Sequence, residues 1–324
     1  MTPRSGPTFF SFPADALAQG AEAAAVVAGL MADMPWVSPK YLYGPLGSRL
    51  FDAITELPEY YPTRTEKALL EACRDSVARA VGPEPILIDL GAGNCEKARS
   101  LFQSLKPRQY VAVDISVDFL RQSLSQLQRD FPHLEMLGVG IDFSSGLRLP
   151  DAVSRDNRLF FYPGSSIGNF TPEQALAFLA GIRDHCVGAR GGGLLIGVDL
   201  VKPEALLQAA YDDALGVTAA FNLNLLNNLN ALIGSDFVLG DWRHHALFNS
   251  QASRIEMHLE ARRDLTVRWP GGLRAFRQGE RIHTENSYKY ALTDFKTLLE
   301  QAGFSRVQAW TDTNDWFALC HAII

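Results

Sequence analysis

Cysteine is scarce in this chain of 324 residues, and its scarcity excludes two classes of protein. The four cysteines lie far apart, with no CxxC motif and no short cysteine–histidine spacing of the kind that binds zinc. A chain of this length also needs no disulfide bonds to hold its core together. We therefore expect reduced thiols, a cytoplasmic location and no bound metal.

Long hydrophobic runs and an excess of basic residues are also absent. No stretch approaches the roughly 20 apolar residues of a membrane-spanning helix, and polar residues interrupt the Ala-rich N-terminal segment, which disfavours a secretory leader. Lys and Arg number 30 against 36 Asp and Glu, a net charge of −6. A surface that neutralises a phosphate backbone is therefore not expected. We predict no nucleic-acid, membrane or obligate protein partner.

What is present is an ordinary globular mixture, with 47% apolar and 20% charged residues. From residue 64 to residue 201, segments with helical periodicity alternate with short apolar runs. The predicted strands cover 86–90, 110–115, 135–143, 158–164 and 192–201, and the predicted helices cover 65–81, 96–105, 117–131 and 171–186. Strands separated by helices of this length imply right-handed crossovers and a parallel sheet. The sequence therefore predicts a doubly wound α/β domain.

The alternation stops on either side of this region. An amphipathic helix is predicted from 13 to about 34, then a segment with four Tyr and four Pro over 36–63 that holds one short helix near 47–56. Residues 203–233 have a helical pattern and lead into a polar connection, and a helix over 292–303 precedes a last strand at 317–324. We expect residues 64–201 and 288–324 to form the larger domain, and residues 1–63 and 202–287 a second, smaller lobe.

A glycine turn marks the candidate cofactor site. The sequence ILIDLGAGN places Gly91 and Gly93 where the first parallel strand ends and a helix begins, the position at which doubly wound sheets bind ligands. Asp114 ends the second strand 21 residues after Gly93, where a carboxylate can accept hydrogen bonds from ribose hydroxyls. The pattern predicts a nucleotide-type cofactor. The simpler interpretation is a tight turn with Asp114 as a helix cap.

The residue types of the turn favour S-adenosylmethionine. Glu96 occupies the position at which the dinucleotide fingerprint has its third Gly, and its charge would oppose a pyrophosphate. S-adenosylmethionine has no phosphate and a net charge of +1, so Asp89, Glu96 and Asp114 would favour its binding. Asp142 and Phe143, which end the third strand, would hydrogen-bond and stack on the adenine. A nucleotide-dependent oxidoreductase is the alternative that Glu96 disfavours.

Several long motifs extend beyond this cofactor pattern. They are YGPLGSRLFDAITELPEYYPTR (43–64), DLGAGNCEKAR (89–99), GSSIGNFTP (164–172), YDDALGVTAAFN (211–222), RIEM (254–257) and HTENSYKY (283–290). On these motifs the chain resembles the L-histidine Nα-methyltransferase family of ergothioneine biosynthesis, from about Lys40 to the C-terminus. The resemblance implies a Rossmann-like class I methyltransferase sheet with a second, substrate-binding lobe.

The resemblance also implies an activity and a substrate. The activity is S-adenosylmethionine-dependent methylation of the α-amine of free L-histidine, three times in succession, to give hercynine. Alternatives that stay open are methylation of another free amino acid or a histidine analogue, and a cofactor-binding module without catalytic activity.

The resemblance assigns roles to individual residues. Substrate contacts are implied for Tyr60, Gly164, Asn169, Tyr211, Met257, Glu285 and Ser287, and cofactor contacts include Lys97. Tyr60, Tyr211 and Asn169 would hold the substrate carboxylate and amine, while Glu285 and Ser287 would hold the imidazole beside Met257. Tyr43 would lie by the amine. Because no histidine is among these residues, we expect Tyr43 to carry protons from the amine through water.

The chemistry of these residue types is consistent with the implied roles. Tyr and Asn can bind a carboxylate without adding positive charge near a sulfonium, which an Arg would do. On an extended strand Glu285 and Ser287 point to the same face, and their acceptors suit the two nitrogens of an imidazole. The structural alternatives are half-buried tyrosines, a solvated strand face for Glu285 and Ser287, core filling by Met257, and Asn169 as a turn or helix-cap residue. His244 and His245 are interpreted as a surface or core pair.

Overall fold

The computed structural model describes residues 6–11, 16–143, 146–187 and 192–324, with the side chains of 16–19 left aside. Its strands are β1 (Thr8–Ser11), β2 (Ile86–Leu90), β3 (Gln109–Asp114), β4 (Glu135–Gly140), β5 (Arg158–Tyr162), β6 (Gly192–Asp199), β7 (Trp242–Asn249), β8 (Arg254–Ala261), β9 (Leu265–Trp269), β10 (Gly272–Phe276), β11 (Arg281–Tyr288), β12 (Arg306–Thr311) and β13 (Phe317–Ile323).

The α-helices of the described residues alternate with many of these strands. They are α1 (Ala16–Met31), α2 (Pro45–Thr55), α3 (Tyr61–Val81), α4 (Glu96–Leu105), α5 (Val117–Asp130), α6 (Pro172–Cys186), α7 (Glu204–Ala209), α8 (Val217–Ile233) and α9 (Leu292–Gln301). Within the described part of the chain, no helix is both long and apolar enough to cross a membrane.

The chain divides into two compact units. The first contains Pro62–Val201 and Lys289–Ile324 together with β1, and the second contains α1 to Tyr61 and Lys202–Tyr288. The first unit is built on one eight-stranded sheet with the order β1-β4-β3-β2-β5-β6-β13-β12. Every neighbouring pair in this sheet is parallel except β6–β13 and β13–β12, because β13 alone runs in the opposite direction. The doubly wound sheet expected from the alternating pattern is confirmed.

Both faces of the sheet are covered, which explains the apolar strands. Every residue of β2 and β5 is buried, as expected for central parallel strands with helices on both sides. Residues at odd and even positions separate into two core clusters, one packed with α6 and α9 and the other with α3, α4 and α5. The strand order reverses at β2, which pairs with β3 on one side and β5 on the other. Ligands of doubly wound folds bind at such a reversal.

The N-terminal strand β1 was not predicted and does not lie in the second unit. It pairs in parallel with β4 at the edge of the sheet. Gly138 of β4 makes this pairing possible, because a Cβ there would lie 2.4 Å from the ring of Phe9. An edge strand of four residues has too short an apolar pattern to be identified as a strand from the sequence.

The second unit combines helices with a three-stranded antiparallel sheet of order β11-β8-β7 and the hairpin β9-β10. The single helix predicted over 203–233 is wrong, since α7 ends at Ala209 and α8 begins at Val217. Asp213 causes the break, because its carboxylate accepts the N–H groups of Val217 at 2.9 Å and Thr218 at 2.7 Å and so caps α8. The interruption contains Tyr211, which is thereby placed in a turn.

The asparagines of α8 hold neighbouring backbone. Asn222 donates to the carbonyl of His258 at 3.0 Å, Asn228 to that of Tyr41 at 2.7 Å, and Asn230 to that of Phe237 at 2.8 Å. Each amide satisfies a carbonyl outside the helix, so α8 fixes three separate segments of the second unit.

Candidate active site

The glycine turn of the first unit lies directly against the end of β3. Gly91 and Gly93 have φ angles of +71° and +51°, and Cys95 has +63°. The N–H groups of Gly91 and Ala92 both donate to the carbonyl of Val113, at 2.9 and 3.1 Å. Left-handed conformations at these positions let the backbone fold tightly between β2 and α4.

Asp114 holds this turn as well as facing the expected site. Its Oδ2 accepts the N–H of Gly93 at 2.9 Å, and its Oδ1 accepts the N–H of Ser116 at 2.8 Å. Burial raises the pKa of Asp114, while the N–H donors of Ser116 and Gly93 oppose that change. Each carboxylate oxygen has a second lone pair. The expected ribose contact is therefore compatible with the structural role, but stays a prediction.

Asp89 lies beneath the turn. It is only 1% exposed, and Tyr110 donates its hydroxyl hydrogen to Oδ2 at 2.7 Å. Burial raises the pKa of Asp89 to about 7, against the hydrogen bond from Tyr110 and the charge of Lys97. Among the described residues, Oδ1 of Asp89 has no hydrogen-bond partner. A buried acceptor of this kind fits a ligand that brings a donor or a positive charge.

The end of β4 brings Phe143 to the same turn. A methyl group built on Gly91 would lie 4.0 Å from Cζ of Phe143. The ring is edge-on to Tyr162, with centroids 5.9 Å apart, and this contact fixes its orientation. Asp142, the preceding residue, is half-buried. These positions are compatible with the predicted contacts to an adenine ring.

A charged cluster that the sequence analysis missed lies beside the turn. Glu66 of α3 is fully buried at 0% exposure. Its Oε2 lies 2.6 Å from Nζ of Lys97, and its Oε1 accepts the N–H of Gly164 at 2.8 Å. A signal existed in the sequence, because Glu66 falls on the apolar stripe that continues through Leu69 and Cys73.

The turn after β5 begins at Gly164. Gly164 and Ser165 have φ angles of +78° and +56°, and the hydroxyl of Ser165 accepts the N–H of Asp199 at 2.8 Å. Asn169 ends the short 3₁₀ helix Ser166–Asn169 and is half-buried. The alternative that Asn169 caps α6 is wrong, since Thr171 does so in a reciprocal pair with Gln174. The predicted substrate contacts of Gly164 and Asn169 stay predictions.

These residues fit S-adenosylmethionine and not a dinucleotide. Glu96 is exposed at the first position of α4, where a pyrophosphate would otherwise bind the helix N-terminus. The N–H of Glu96 is also bound to Oδ1 of Asn94 at 3.1 Å. The other charged groups described around the turn are carboxylates and the ammonium of Lys97. Together they match a cationic ligand that carries one carboxylate.

Aromatic rings form the candidate substrate site of the second unit. Tyr43 packs edge-on against Phe51 and Phe221, with centroids 5.6 and 5.4 Å apart. Tyr60 contacts Phe51 on one side and Tyr211 on the other, at 6.2 and 6.1 Å. Such edge-to-face pairs set the orientation of each ring and hence of its hydroxyl group.

Tyr211 is held at both its side chain and its backbone. Its hydroxyl lies 2.7 Å from Oγ of Ser287, and its carbonyl lies 2.8 Å from Nε2 of His244. Asn222 donates to Nδ1 of His244 at 2.9 Å, so Nε2 carries the hydrogen. Burial lowers the pKa of His244, which favours the neutral imidazole. His244 is therefore a half-buried residue that positions Tyr211.

A β-bulge aligns the residues predicted to bind the imidazole. His283 lies opposite His258, but Glu285 lies opposite Met257 because Thr284 is inserted between the two pairs. The hydroxyl of Thr284 donates to the carbonyl of Met257 at 3.0 Å. Glu285 thus shares a face with Met257 and, two residues on, with Ser287. All three are buried, at 7%, 2% and 5% exposure.

Three residues of the same sheet have the side-chain types that bind metal ions and lie close together. They are Glu256, His258 and His283, and their possible ligand atoms lie within 4.8 Å of one another. Burial acts to raise the pKa of Glu256, but hydrogen bonds from Asn249 and Arg254 lower it to about 2. Nη2 of Arg254 lies 2.6 Å from Oε1 of Glu256 and supplies the positive charge there. We interpret the cluster as a hydrogen-bonded network.

Each of the two units thus contains part of the predicted site residues. The first contains Asp89, Gly91, Gly93, Lys97, Asp114, Asp142, Phe143, Gly164 and Asn169, and the second contains Tyr43, Tyr60, Tyr211, Met257, Glu285 and Ser287. The sequence analysis predicted these positions as site residues. It did not single out Glu66 and Thr284, and it interpreted His244 only as a surface or core residue, although these three side chains contact the predicted residues.

Comparison with known proteins links both units to one family. Residues 22–323 match the model of the family described as histidine-specific methyltransferase, SAM-dependent. The chain is 38% identical to the histidine N-alpha-methyltransferase of Mycolicibacterium smegmatis over 92% of this chain and 93% of that protein. It is also 38% identical to the protein of the same name from Mycobacterium tuberculosis, over 91% and 92%. Ergothioneine biosynthesis protein 1 of Neurospora crassa is 33% identical over 85% of this chain and 32% of its own length.

Proposed function

The chain belongs to the family of histidine-specific, S-adenosylmethionine-dependent methyltransferases, and on that premise we propose that it methylates the α-amine of free L-histidine. The family match covers both the cofactor motifs and the substrate motifs. Relatives named histidine N-alpha-methyltransferase and ergothioneine biosynthesis protein 1 support the substrate and the biosynthetic context. We further propose three successive methylations, giving hercynine.

The first unit would hold the cofactor, which supplies an electrophilic methyl group on a sulfonium. Asp114 would bind the ribose hydroxyls with its free lone pairs, and Phe143 would contact the adenine. Asp89, whose Oδ1 has no hydrogen-bond partner in the described part of the chain, would favour the positive charge of the ligand. Lys97 would pair with the carboxylate of the methionine moiety, the only anionic group that S-adenosylmethionine has.

The second unit would recognise the histidine. The observation that carries this proposal is the bulge at Thr284, which places Glu285 beside Met257 and Ser287 within hydrogen-bond distance of Tyr211. A carboxylate and a hydroxyl on one buried face can bind both nitrogens of an imidazole. Tyr60 and Tyr211 would bind the substrate carboxylate, with Asn169 and Gly164 as further proposed contacts.

Proton removal is the remaining requirement. Each methylation of a primary or secondary amine gives a cation that must lose a proton before the nitrogen lone pair can react again. We propose that Tyr43 passes these protons to solvent, because its ring is fixed by two aromatic contacts. A phenol with a pKa near 10 is a weak base at pH 7, so relay through water is the appropriate role.

The experiment that tests the substrate is a competition. The protein and S-adenosylmethionine are incubated with an equimolar mixture of all free amino acids, and the products are resolved by mass spectrometry. We expect mass additions of one, two and three methyl groups on histidine alone. Histamine, which lacks the carboxylate, is the matched control and should react at least ten times more slowly, as expected when hydrogen bonds to a charged group are lost. Methylation of another amino acid ahead of histidine would refute the proposal.

A further inference from the structure

Glu66 is a carboxylate in a place where the fold would ordinarily put an apolar side chain. It lies on α3, on the face that packs against the sheet, and is 0% exposed. Burial of a charge is unfavourable unless the charge is paired and hydrogen-bonded. Its position therefore requires partners that offset the loss of hydration.

Two partners are present, and both are candidate site residues. Oε2 of Glu66 lies 2.6 Å from Nζ of Lys97, and Oε1 accepts the N–H of Gly164 at 2.8 Å. One carboxylate thus connects the first turn of α4, after β2, with the turn after β5. Both turns lie at the carboxyl ends of adjacent strands.

Two glycines keep the space that this arrangement needs. A Cβ at Gly197 of β6 would lie 2.2 Å from Oε1 of Glu66, so any side chain there would displace the carboxylate. A Cβ at Gly164 would lie 3.1 Å from Nζ of Lys97. The backbone is therefore shaped around the Glu66–Lys97 pair.

We propose that Glu66 is a positioning residue that holds the ammonium of Lys97 and the Gly164 turn in one fixed arrangement for the cofactor. This inference rests on the proposed function in one respect, that the cofactor is S-adenosylmethionine. Lys97 has a flexible four-carbon stem and three N–H donors. Glu66 takes one donor, and the 33% exposure of the Lys97 side chain leaves it accessible to a ligand. The carboxylate of the methionine moiety is the group that an ammonium so placed would bind.

A merely structural role for Glu66 makes a different prediction. If Glu66 only stabilised the fold, its removal would weaken the binding of ligands with and without the carboxylate to the same extent, or would weaken neither. If Glu66 acts through Lys97, the loss should appear only for ligands that carry the carboxylate. Two ligands separate these cases: S-adenosylhomocysteine, which has it, and 5′-methylthioadenosine, which has the adenosine and thioether without the amino-acid portion.

The test is calorimetric titration of both ligands into wild type, Glu66→Gln and the matched control Glu71→Gln. Glu71 lies on the same helix and is exposed, so its variant has the same change in charge. We expect Glu66→Gln to weaken S-adenosylhomocysteine about tenfold and 5′-methylthioadenosine less than twofold, on the scale of a charge-assisted hydrogen bond. Glu71→Gln should leave both affinities unchanged.

Glu66→Asp, which keeps the charge and shortens the side chain by one methylene group, should give the same selective loss and replaces Glu66→Gln in the test if that variant does not fold. Lys97→Met should cause the same selective loss, and the double variant should lose no more than about the larger single effect, since the two residues act as one unit. Unchanged affinity for S-adenosylhomocysteine, or equal losses for both ligands, would overturn the inference. Wild type that binds S-adenosylhomocysteine but does not methylate histidine would refute the proposed substrate and leave this inference standing.

Discussion

At the scale of single residues, Glu285 is the side chain on which histidine selectivity is proposed to depend. It is 7% exposed and faces the same side of β11 as Ser287. A buried acceptor that meets an imidazole N–H gains a hydrogen bond, whereas the same acceptor facing a phenyl or isobutyl group lacks that bond. Sites of this kind reject apolar analogues strongly.

We therefore expect Glu285→Ala to lower kcat/KM for histidine by about 10- to 100-fold, equivalent to about 1.5–3 kcal/mol for a bond to a charged group. The ratio of kcat/KM for histidine to that for phenylalanine should fall, because the variant removes both the charge and the steric limit. Glu300→Ala, at an exposed position of α9, is the control. A ratio equal to that of wild type would remove Glu285 from substrate recognition.

Tyr43 has a role that can be separated from binding. Its ring is fixed by Phe51 and Phe221, so Tyr43→Phe should preserve the packing while removing the hydroxyl. We expect kcat to fall by at least about tenfold with little change in KM for histidine. The wild-type rate should rise between about pH 7 and 9, as the amine is more easily deprotonated. Equal kcat values for the variant and wild type would exclude the relay.

At the scale of elements, the parts of the fold that the sequence predicts are those with a strong period. Residues 64–201 form the expected strands and helices because their central strands are mostly apolar and buried throughout, and their helices carry one apolar stripe. The glycine turn and Asp114 follow from the strand order. These features are set by local pattern and by the geometry of parallel sheets.

Other elements leave little trace in the sequence. Strand β7, WRHHALFN, was interpreted as a polar connection because only Trp242 and Ala246 of its eight residues are buried. The bulge at Thr284 inserts one residue into β11. The insertion leaves the amino-acid composition and the alternating pattern of the strand without a visible signal, but it determines which face of the sheet Glu285 occupies. The role of Glu66 and the contact of His244 with Tyr211 were not predicted for a related reason, since the partners of both residues lie far away in sequence.

At the scale of the whole molecule, each unit carries a histidine, half-buried in one and buried in the other, whose pKa is lowered by the fold. Burial lowers the pKa of His258 in the second unit and of His321 in the first unit to about 4. The proximity of His283 to His258 and of Arg306 to His321 acts in the same direction, whereas the hydrogen bond between His258 and Glu256 acts against it. In the unfolded chain these imidazoles have a pKa near 6.5. The folded pKa is the lower one, so the stabilisation is complete above pH 6.5 and is lost as the pH falls towards 4.

The unfolding free energy should therefore decrease on acidification from pH 7 to pH 5, by about 2 kcal/mol for each of these histidines. His321→Gln removes one titrating group from β13 and should make the change between the two pH values smaller by about that amount. Urea unfolding followed by tryptophan fluorescence at both pH values measures it, and His133→Gln, at an exposed position, is the matched control. If the His321→Gln protein kept the full pH dependence of wild type, proton uptake by His321 on unfolding would have no part in acid sensitivity. The loss would then have to come from the other buried imidazoles, with His258 first among them.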